Sequence, residues 1–190
     1  MDQTKDRRVR RTKTLLVHSL ATLMSQKTIK DITVKELCEH ADINRGTFYL
    51  HYKDIYHMLE SVEQELIDQF EELFHLYSPE NCANFPYPLF YDLFTMIDKN
   101  SEFCRSLLGP NGDISFLMKV RELFRHQYIQ SWVLEHANSP IPQYEYFSNF
   151  IIYGCAGLIE NWLLCNKPEP PEKMARLVTK LISTGMHSLL

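Results

Sequence analysis

Apolar residues recur at helical spacing along nearly the whole chain, and this spacing constrains the fold more than any other feature. In the first segment, positions i, i+4, i+7 and i+8 are taken by Leu16, Leu20, Leu23 and Met24. This spacing is typical of an amphipathic helix, here over about residues 7–26. No segment alternates strictly between apolar and polar residues, as a half-buried strand would. The sequence therefore predicts an all-α fold.

Prolines and capping residues divide the rest of the chain into further helices. Proline fixes φ and lacks an amide hydrogen, so SPENCANFPYP (78–88) is predicted to be a loop. SPIP and KPEPP end two later helices in the same way. We predict helices over about 34–40, 45–50, 55–77, 87–98, 101–108, 113–137, 142–165 and 171–188.

The net charge of −4 hides an asymmetry between the two ends of the chain. Residues 1–60 hold eleven Lys/Arg against eight Asp/Glu, whereas residues 61–190 hold nine against sixteen. A basic end on an acidic body suggests that only the N-terminal part meets a polyanion. The alternative is a chance fluctuation on solvated faces.

The cysteines and the apolar runs indicate a compartment. Five cysteines, with no CxxC pair, fit reduced thiols that act as small core residues. The first residues, MDQTKDRRVRR, lack the apolar region of a secretory signal. No run approaches the roughly 18 apolar residues of a membrane span. We therefore expect a cytoplasmic protein that does not enter a membrane.

Two short helices joined by a tight turn are predicted in the N-terminal third. TVKE has the pattern of a capping box, in which Thr33 caps the first helix and Glu36 reaches back. Residues 41–43 form the turn, with Asp42 tolerating a left-handed conformation. Asn44 is a good N-cap for the second helix. With a longer helix on each side, this arrangement predicts a helix-turn-helix unit.

The second short helix carries more polar residues than burial requires. Phe48 is expected to face inward, together with Ile43 and Tyr52. Gly46 lets a backbone come close, and Arg45 could reach guanine edges or phosphate. We interpret the remaining surface as one that enters a DNA major groove. The candidate DNA contacts are Thr33, Asn44, Arg45, Gly46, Thr47, Tyr49, Leu50, His51 and Lys53.

Several of these residues have a purely structural alternative. Tyr52 is expected to pack in the core, whereas Tyr49 is expected to contact DNA. For His51 both roles stay open, namely packing in the core and contact with DNA. For Arg45 and Lys53 the alternative is a solvated charge with no partner.

The run TVKELCEHADINRGTFYLHYKDIYHML resembles the DNA-binding domain of the tetracycline-repressor-like (TetR) transcriptional regulators. The wider match covers about residues 8–60. The resemblance implies three helices for DNA, followed by six or so that form a ligand-binding and dimerisation domain. Accordingly, we expect a helix-turn-helix domain over 1–53 and a helical regulatory domain over 54–190.

Three positions depart from the family pattern. Asp42 and Thr28 stand where the family usually has glycine. Ile55 stands where the family often has a lysine just inside the fourth helix. This departure puts one phosphate contact in doubt, although Lys53 could replace it.

The last two predicted helices are more apolar than a small domain needs. FSNFIIYGCAGLIENWLL is apolar on most sides, and its small residues would let another helix approach closely. We predict a four-helix bundle formed with a second copy, which is the use the family makes of these helices. Burial inside a monomer is the alternative. The candidate interface residues are Gly154, Gly157, Leu158, Trp162, Leu177, Val178 and Leu181.

Aromatic residues of the regulatory half could line an apolar cavity that holds a small effector. A filled aromatic core is the alternative. The candidate lining residues are Tyr91, Phe94, Met118, Phe124, Tyr128, Phe147 and Phe150.

The sequence contains none of the common catalytic motifs. It has no HExxH, GxSxG, P-loop or dinucleotide fingerprint, and Cys38-x-His40 cannot build a metal site without further ligands. We predict a protein that is not an enzyme and holds no metal or cofactor. It would be a homodimeric repressor that binds a palindromic double-stranded operator and is released by a small molecule. The alternatives are a regulator or coactivator controlled by a protein partner, and a sequence-tolerant architectural DNA binder.

Overall fold

This computed structural model describes residues 3–77, 87–112, 114–126 and 144–187. These residues form nine α-helices and the segments that connect them. A turn of 3-10 helix, Ile29–Asp31, precedes the second α-helix. Among these residues there is no β-strand, which confirms the predicted all-α fold. The helices are α1 (Gln3–Met24), α2 (Val34–Ala41), α3 (Arg45–Tyr49), α4 (Ile55–Leu76), α5 (Tyr87–Lys99), α6 (Ser101–Leu108), α7 (Ile114–Phe124), α8 (Tyr144–Leu164) and α9 (Pro171–His187).

Most helix ends lie within two residues of the predicted ends. The largest difference is at α1, which begins at Gln3 rather than near residue 7. The predicted helix over 113–137 is observed as α7 up to Phe124, and its last part, 127–137, lies outside the described residues. The predicted loop at 78–88 likewise lies outside them, apart from its last two residues, which begin α5.

The chain forms two compact units. The first comprises Met1–Leu66 and Glu102–Ile114, and the second comprises Ile67–Ser101 and Ser115–Leu190. These units are defined by contacts. The sequence prediction instead divided the chain by expected function, into 1–53 and 54–190. This division stays a prediction.

The core of the first unit is built on the apolar face of α1. Leu16 and Leu20 are fully buried, and Met24 is nearly so, as the helical spacing predicted. This face packs on α2, which in turn packs on α3. Side-chain contacts add to the apolar packing: Lys13 binds Glu65 of α4 at 2.9 Å. Contacts with α1 therefore hold both α2 and α4 in place within the first unit.

The segment Glu102–Ile114, which includes most of α6, belongs to the first unit and contacts α1 through two side chains. The Asn111 side chain donates a hydrogen bond to the backbone oxygen of Met24 at 3.3 Å. Nearer the middle of α1, His18 contacts the carboxylate of Glu102. Gly112 admits no side chain, since a Cβ there would lie 1.8 Å from the backbone oxygen of Leu107.

The second unit has an aromatic core, in which α5 packs on α9. Phe94 of α5 meets the indole of Trp162 edge to face, with ring centroids 5.2 Å apart. Phe124 packs on Phe74 at the same centroid distance. Such pairs are worth about 0.5–1.5 kcal/mol beyond the area they bury.

The turn between α8 and α9 is tied to the end of α5. Lys167 has a left-handed φ of 52°, and its Nζ binds Asp98 at 2.6 Å and Ser101 at 3.0 Å. The indole nitrogen of Trp162 donates to the backbone oxygen of Glu169 at 2.7 Å.

Among the residues that the structure describes, none of the helices has the length and hydropathy that a membrane span requires.

Candidate nucleic-acid interface and regulatory surfaces

The start of α2 is capped as predicted, but only by one half of the capping box. The Oγ1 atom of Thr33 accepts a hydrogen bond from the backbone amide of Glu36 at 3.2 Å. Glu36 was expected to reach back to the cap. Instead, both of its carboxylate oxygens accept from Nζ of Lys27 at 2.6 Å. A nearby cation thus holds this carboxylate, and it links the segment after α1 to α2.

The turn between α2 and α3 depends on one left-handed residue. Asp42 has φ 54° and ψ 46°, which confirms the conformation predicted for it. The turn is closed by the amide of Ile43, which donates to the carbonyl of Cys38 at 2.9 Å. Asp and Asn tolerate this region better than other non-glycine residues. Asp42 can therefore take the left-handed conformation that a glycine would adopt at this position.

Asn44 caps α3, as its position predicted. Its Oδ1 atom accepts a hydrogen bond from the amide of Gly46 at 2.7 Å. A Cβ at position 46 would lie 3.1 Å from that same oxygen. Gly46 therefore has a local role in addition to any close approach of DNA, because it leaves room for the cap.

One buried ring anchors α3 to the unit. Phe48 is fully buried, with its ring centroid 5.6 Å from that of Tyr52 and 5.4 Å from that of Tyr49. Tyr52 is 4% exposed, which confirms its predicted packing role. Burial raises the pKa of the Tyr52 phenol above its ordinary value. The inward face of α3 is thus fixed by Phe48 and Tyr52.

The opposite side of α3 is open to solvent. Tyr49 is 57% exposed and Leu50 is 80% exposed. Thr47 and His51 are partly exposed. The other predicted contact residues are exposed, and they are Thr33, Asn44, Arg45, Gly46 and Lys53. All nine predicted residues therefore have surface available to a ligand in the described structure.

The start of α4 contains a residue that the sequence reasoning missed. His57 donates its backbone amide to Oδ1 of Asp54 at 2.8 Å, the predicted cap. Its ring nitrogen Nδ1 also accepts from the backbone amide of Lys53 at 3.3 Å. His57 thereby fixes the backbone that carries the Lys53 side chain. The i, i+3 spacing from Asp54 was the available signal.

Basic side chains lie on both α1 and α3. Arg45 is close enough to Cys38 to oppose the effect of burial, which raises the pKa of that thiol. The hydrogen bond with Glu65 raises the pKa of Lys13, so this lysine stays charged and engaged on α4. Arg7, Arg8, Arg10 and Arg11 are exposed along the first turns of α1.

The structure separates the predicted effector-pocket residues into two groups. Phe94 and Phe124 are buried core residues. Tyr91, Met118 and Phe150 are 41%, 59% and 71% exposed, so they cannot form the wall of an enclosed pocket. These exposed fractions do not favour a pocket wall at the three positions, and the effector pocket stays a prediction. Tyr128 and the side chain of Phe147 lie outside the described part of the chain.

The predicted dimer residues also divide in two. Trp162 and Val178 are 2% and 1% exposed within a single chain, so neither offers surface to a second copy. Their burial does not favour an interface role, and the predicted interface as a whole stays a prediction. Leu177 and Leu181 are exposed, and Leu158 is half-buried. Gly154 and Gly157 are exposed, with no atom within 4 Å of an added Cβ.

An exposed apolar stripe on α8 was not recognised in the sequence. Tyr146, Phe150, Tyr153 and Leu164 are all more than half exposed, and they follow helical spacing along one side. Arg121 covers one face of Tyr153, with its guanidinium carbon 3.8 Å from the ring centroid. We call these four residues the α8 stripe.

The arrangement in the first unit defines the class of the protein. Two short helices joined by a tight left-handed turn, with a longer helix on each side, have the arrangement of a helix-turn-helix unit. Residues 84–184, more than half of the chain, match the family TetR_C_8, a transcriptional regulator C-terminal region. The chain therefore belongs to the TetR family of transcriptional regulators. These regulators are not enzymes.

Similar proteins support the same assignment. The chain is 35% identical over 48 residues to YxbF, an uncharacterised HTH-type transcriptional regulator of Bacillus subtilis (strain 168). That match covers 25% of this chain and 13% of YxbF, so the similarity is confined to a small part of both proteins.

Two solved structures share the fold along nearly the whole chain. A TetR transcriptional regulator from Streptococcus agalactiae 2603V superposes with a TM-score of 0.60 at 20% identity, covering 94% of this chain and 97% of that one. The regulator FadR from Bacillus subtilis, in complex with stearoyl-CoA, gives 0.61 at 13% identity, covering 89% and 96%. At these identities the likeness establishes the fold alone.

Proposed function

We propose that this chain is a homodimeric repressor that binds a palindromic operator through α3 and is released by a small apolar effector in the cytoplasm. One observation carries the DNA-binding part. A five-residue helix, anchored by Phe48, exposes the Arg45, Tyr49 and Leu50 side chains on a preformed surface. Since both ends of this segment are fixed, little ordering entropy is lost on binding.

The exposed residues of this surface suit different parts of a duplex. Arg45 can form paired hydrogen bonds with a guanine edge. Lys53, Thr47 and His51 suit phosphate oxygens, which position the protein without reading sequence. In a symmetric dimer, two such surfaces would enter successive major grooves about 34–36 Å apart. The operator would accordingly be a palindrome.

The α8 stripe supports the dimer. A monomer rarely leaves several large apolar side chains in a row on one helix. On the same helix, Gly154 and Gly157 leave open space in which a second helix could approach closely. Leu177 and Leu181 of α9 add exposed apolar surface at i, i+4 spacing. Pairing α8 and α9 with their copies would bury this surface in a four-helix bundle.

Release of the operator needs an effector that prefers another arrangement of the dimer. A ligand shifts an equilibrium only by its difference in affinity for the two states. A difference of roughly 1–3 kcal/mol would change operator affinity about 5–150-fold. The apolar character of the proposed effector is suggested by FadR, whose structure holds stearoyl-CoA, a molecule with a long apolar acyl chain.

The DNA part can be tested with matched variants. The operator is first obtained by sequencing the genomic fragments that the purified protein retains. Its affinity is then titrated for wild type, Arg45→Ala and Lys53→Ala, with Lys99→Ala of the second unit as a charge-matched control.

We expect Lys53→Ala to weaken binding about equally for all sequences and to lower the salt slope by about 1. Arg45→Ala should cost about 1–3 kcal/mol and also relax specificity at one base pair in each half-site. Lys99→Ala should bind like wild type. If neither Arg45→Ala nor Lys53→Ala changed operator affinity, α3 would not be the contact surface.

A further inference from the structure

Leu50 ends the recognition helix with an apolar side chain that the chain itself does not cover. At 80%, it is the most exposed large hydrophobic residue in the described part of the chain. Its neighbour Tyr49 is 57% exposed. The packing of α3 does not need Leu50, because Phe48 and Tyr52 supply the buried contacts. We call Tyr49 and Leu50 together the apolar tip.

Single exposed hydrophobic residues are common on protein surfaces and need no explanation by themselves. The apolar tip differs from such a residue in two respects. The Tyr49 ring is held nearly perpendicular to that of buried Phe48, at an interplanar angle of 84°. In the sequence, the tip also lies between Arg45 and Lys53, two cations whose side chains are exposed. This charge favours a polyanion as the occupant over an apolar protein surface.

A side chain that can neither donate nor accept a hydrogen bond needs an apolar partner in the DNA major groove. The base edges present mainly donors and acceptors there, and the C5-methyl group of thymine is the one methyl group among them. In that groove, the Leu50 side chain therefore discriminates between bases mainly through contact with this methyl group.

We propose that Leu50, supported by Tyr49, reads a thymine methyl group in each half-site of the operator. The proposal rests on the proposed function, since it names what one part of the DNA-binding surface recognises. It makes Leu50 a specificity-determining residue with a role distinct from that of Arg45. Arg45 would select a base by hydrogen bonds, and Leu50 would select one by shape and apolar contact.

Replacing dT by dU tests this proposal with a single-group change. The substitution removes the methyl group and leaves every hydrogen-bonding atom of the base pair in place. Each thymine of the operator is replaced in turn, and dissociation constants are measured for wild type and Leu50→Ala. For wild type, the critical dU should weaken binding about fourfold per half-site, which corresponds to about 0.8 kcal/mol for one buried methyl group.

The same dU should have no effect on Leu50→Ala, because this variant has already lost the contact. Leu50→Met, which stays apolar, should retain a penalty for dU. Leu15→Ala provides the matched control, since Leu15 is a 41% exposed leucine on α1. Its dU penalty should equal that of wild type. Leu50 is largely exposed, so thermal unfolding should show Leu50→Ala as stable as wild type.

Two results would overturn the proposal while leaving the proposed function intact. In one, wild type tolerates dU at every thymine of an operator that it binds tightly. In the other, dU raises the dissociation constant of Leu50→Ala by the same factor as that of wild type. Failure to bind any operator would be a separate result, and it would reject the proposed function as well.

Discussion

Asn44 can be tested for two separate roles, as the cap of α3 and as part of the DNA surface. Its Oδ1 atom accepts the Gly46 amide at 2.7 Å. With only five residues, α3 has few backbone bonds of its own, and a helix this short is not stable in isolation. Replacing Asn44 by alanine, serine and aspartate changes the two roles independently.

The expected size of the capping effect follows from the bond that is lost. Replacing an asparagine N-cap by alanine typically costs about 1 kcal/mol. For a chain of this length, that corresponds to a fall of about 2–4 °C in the unfolding midpoint. Asn44→Ser keeps an oxygen acceptor, so its stability should stay within a few tenths of a kcal/mol of wild type. Asn44→Asp also keeps the cap, and its charge suits the start of a helix.

The assay combines thermal unfolding, followed by circular dichroism, with operator titration. Asn44→Ala should lose both stability and operator affinity. Asn44→Asp should keep its stability but bind the operator more weakly, because it places a negative charge beside phosphates. The loss for Asn44→Asp should shrink as salt is raised.

Either of two outcomes would refute this reasoning. If Asn44→Ala unfolded at the wild-type midpoint, the observed hydrogen bond would contribute nothing to the fold. If Asn44→Asp bound the operator as tightly as wild type at low salt, Asn44 would not lie at the DNA surface.

Two further predictions concern the turn and the α8 stripe. Asp42→Gly should be tolerated, because φ 54° suits glycine, whereas Asp42→Val should cost about 1–2 kcal/mol in urea unfolding. Equal costs for the two variants would contradict the left-handed constraint. Phe150→Glu should give a monomer in sedimentation experiments, whereas Leu76→Glu, at a residue that is 60% exposed on α4, should stay a dimer. An unchanged assembly in Phe150→Glu would exclude the α8 stripe as the interface.

The helix-turn-helix could be predicted in detail because each boundary has a local chemical cause. Thr33, Asn44 and Asp54 each accept a hydrogen bond from an amide two or three residues ahead. Asp42 sets the turn by its own conformation. These interactions span only a few residues, so the sequence alone reveals them. The ion pair between Lys27 and Glu36 spans nine residues, so no local sequence pattern predicts it.

The regulatory half was harder to predict for a physical reason. Helix α8 is apolar on most sides, so helical periodicity cannot tell its core face from its exposed face. Trp162 was placed on the surface but packs on Phe94, and Phe150 was placed in a pocket but is 71% exposed. Which face of α8 is buried depends on packing with neighbouring helices. That information is not contained in the spacing of residues within α8.

The anchoring of α3 limits how the effector of the proposed function could act. The recognition surface does not depend on the intrinsic stability of the helix, because Phe48, Asn44 and the Asp42 turn hold it in the first unit. Melting α3 would require the loss of the buried Phe48 contacts, which for a phenylalanine are worth about 3–5 kcal/mol. This exceeds the roughly 1–3 kcal/mol typical of coupling between two sites. An effector would therefore more readily change the distance between the two recognition surfaces of a dimer than their internal structure, so release through altered spacing is the mechanism we favour.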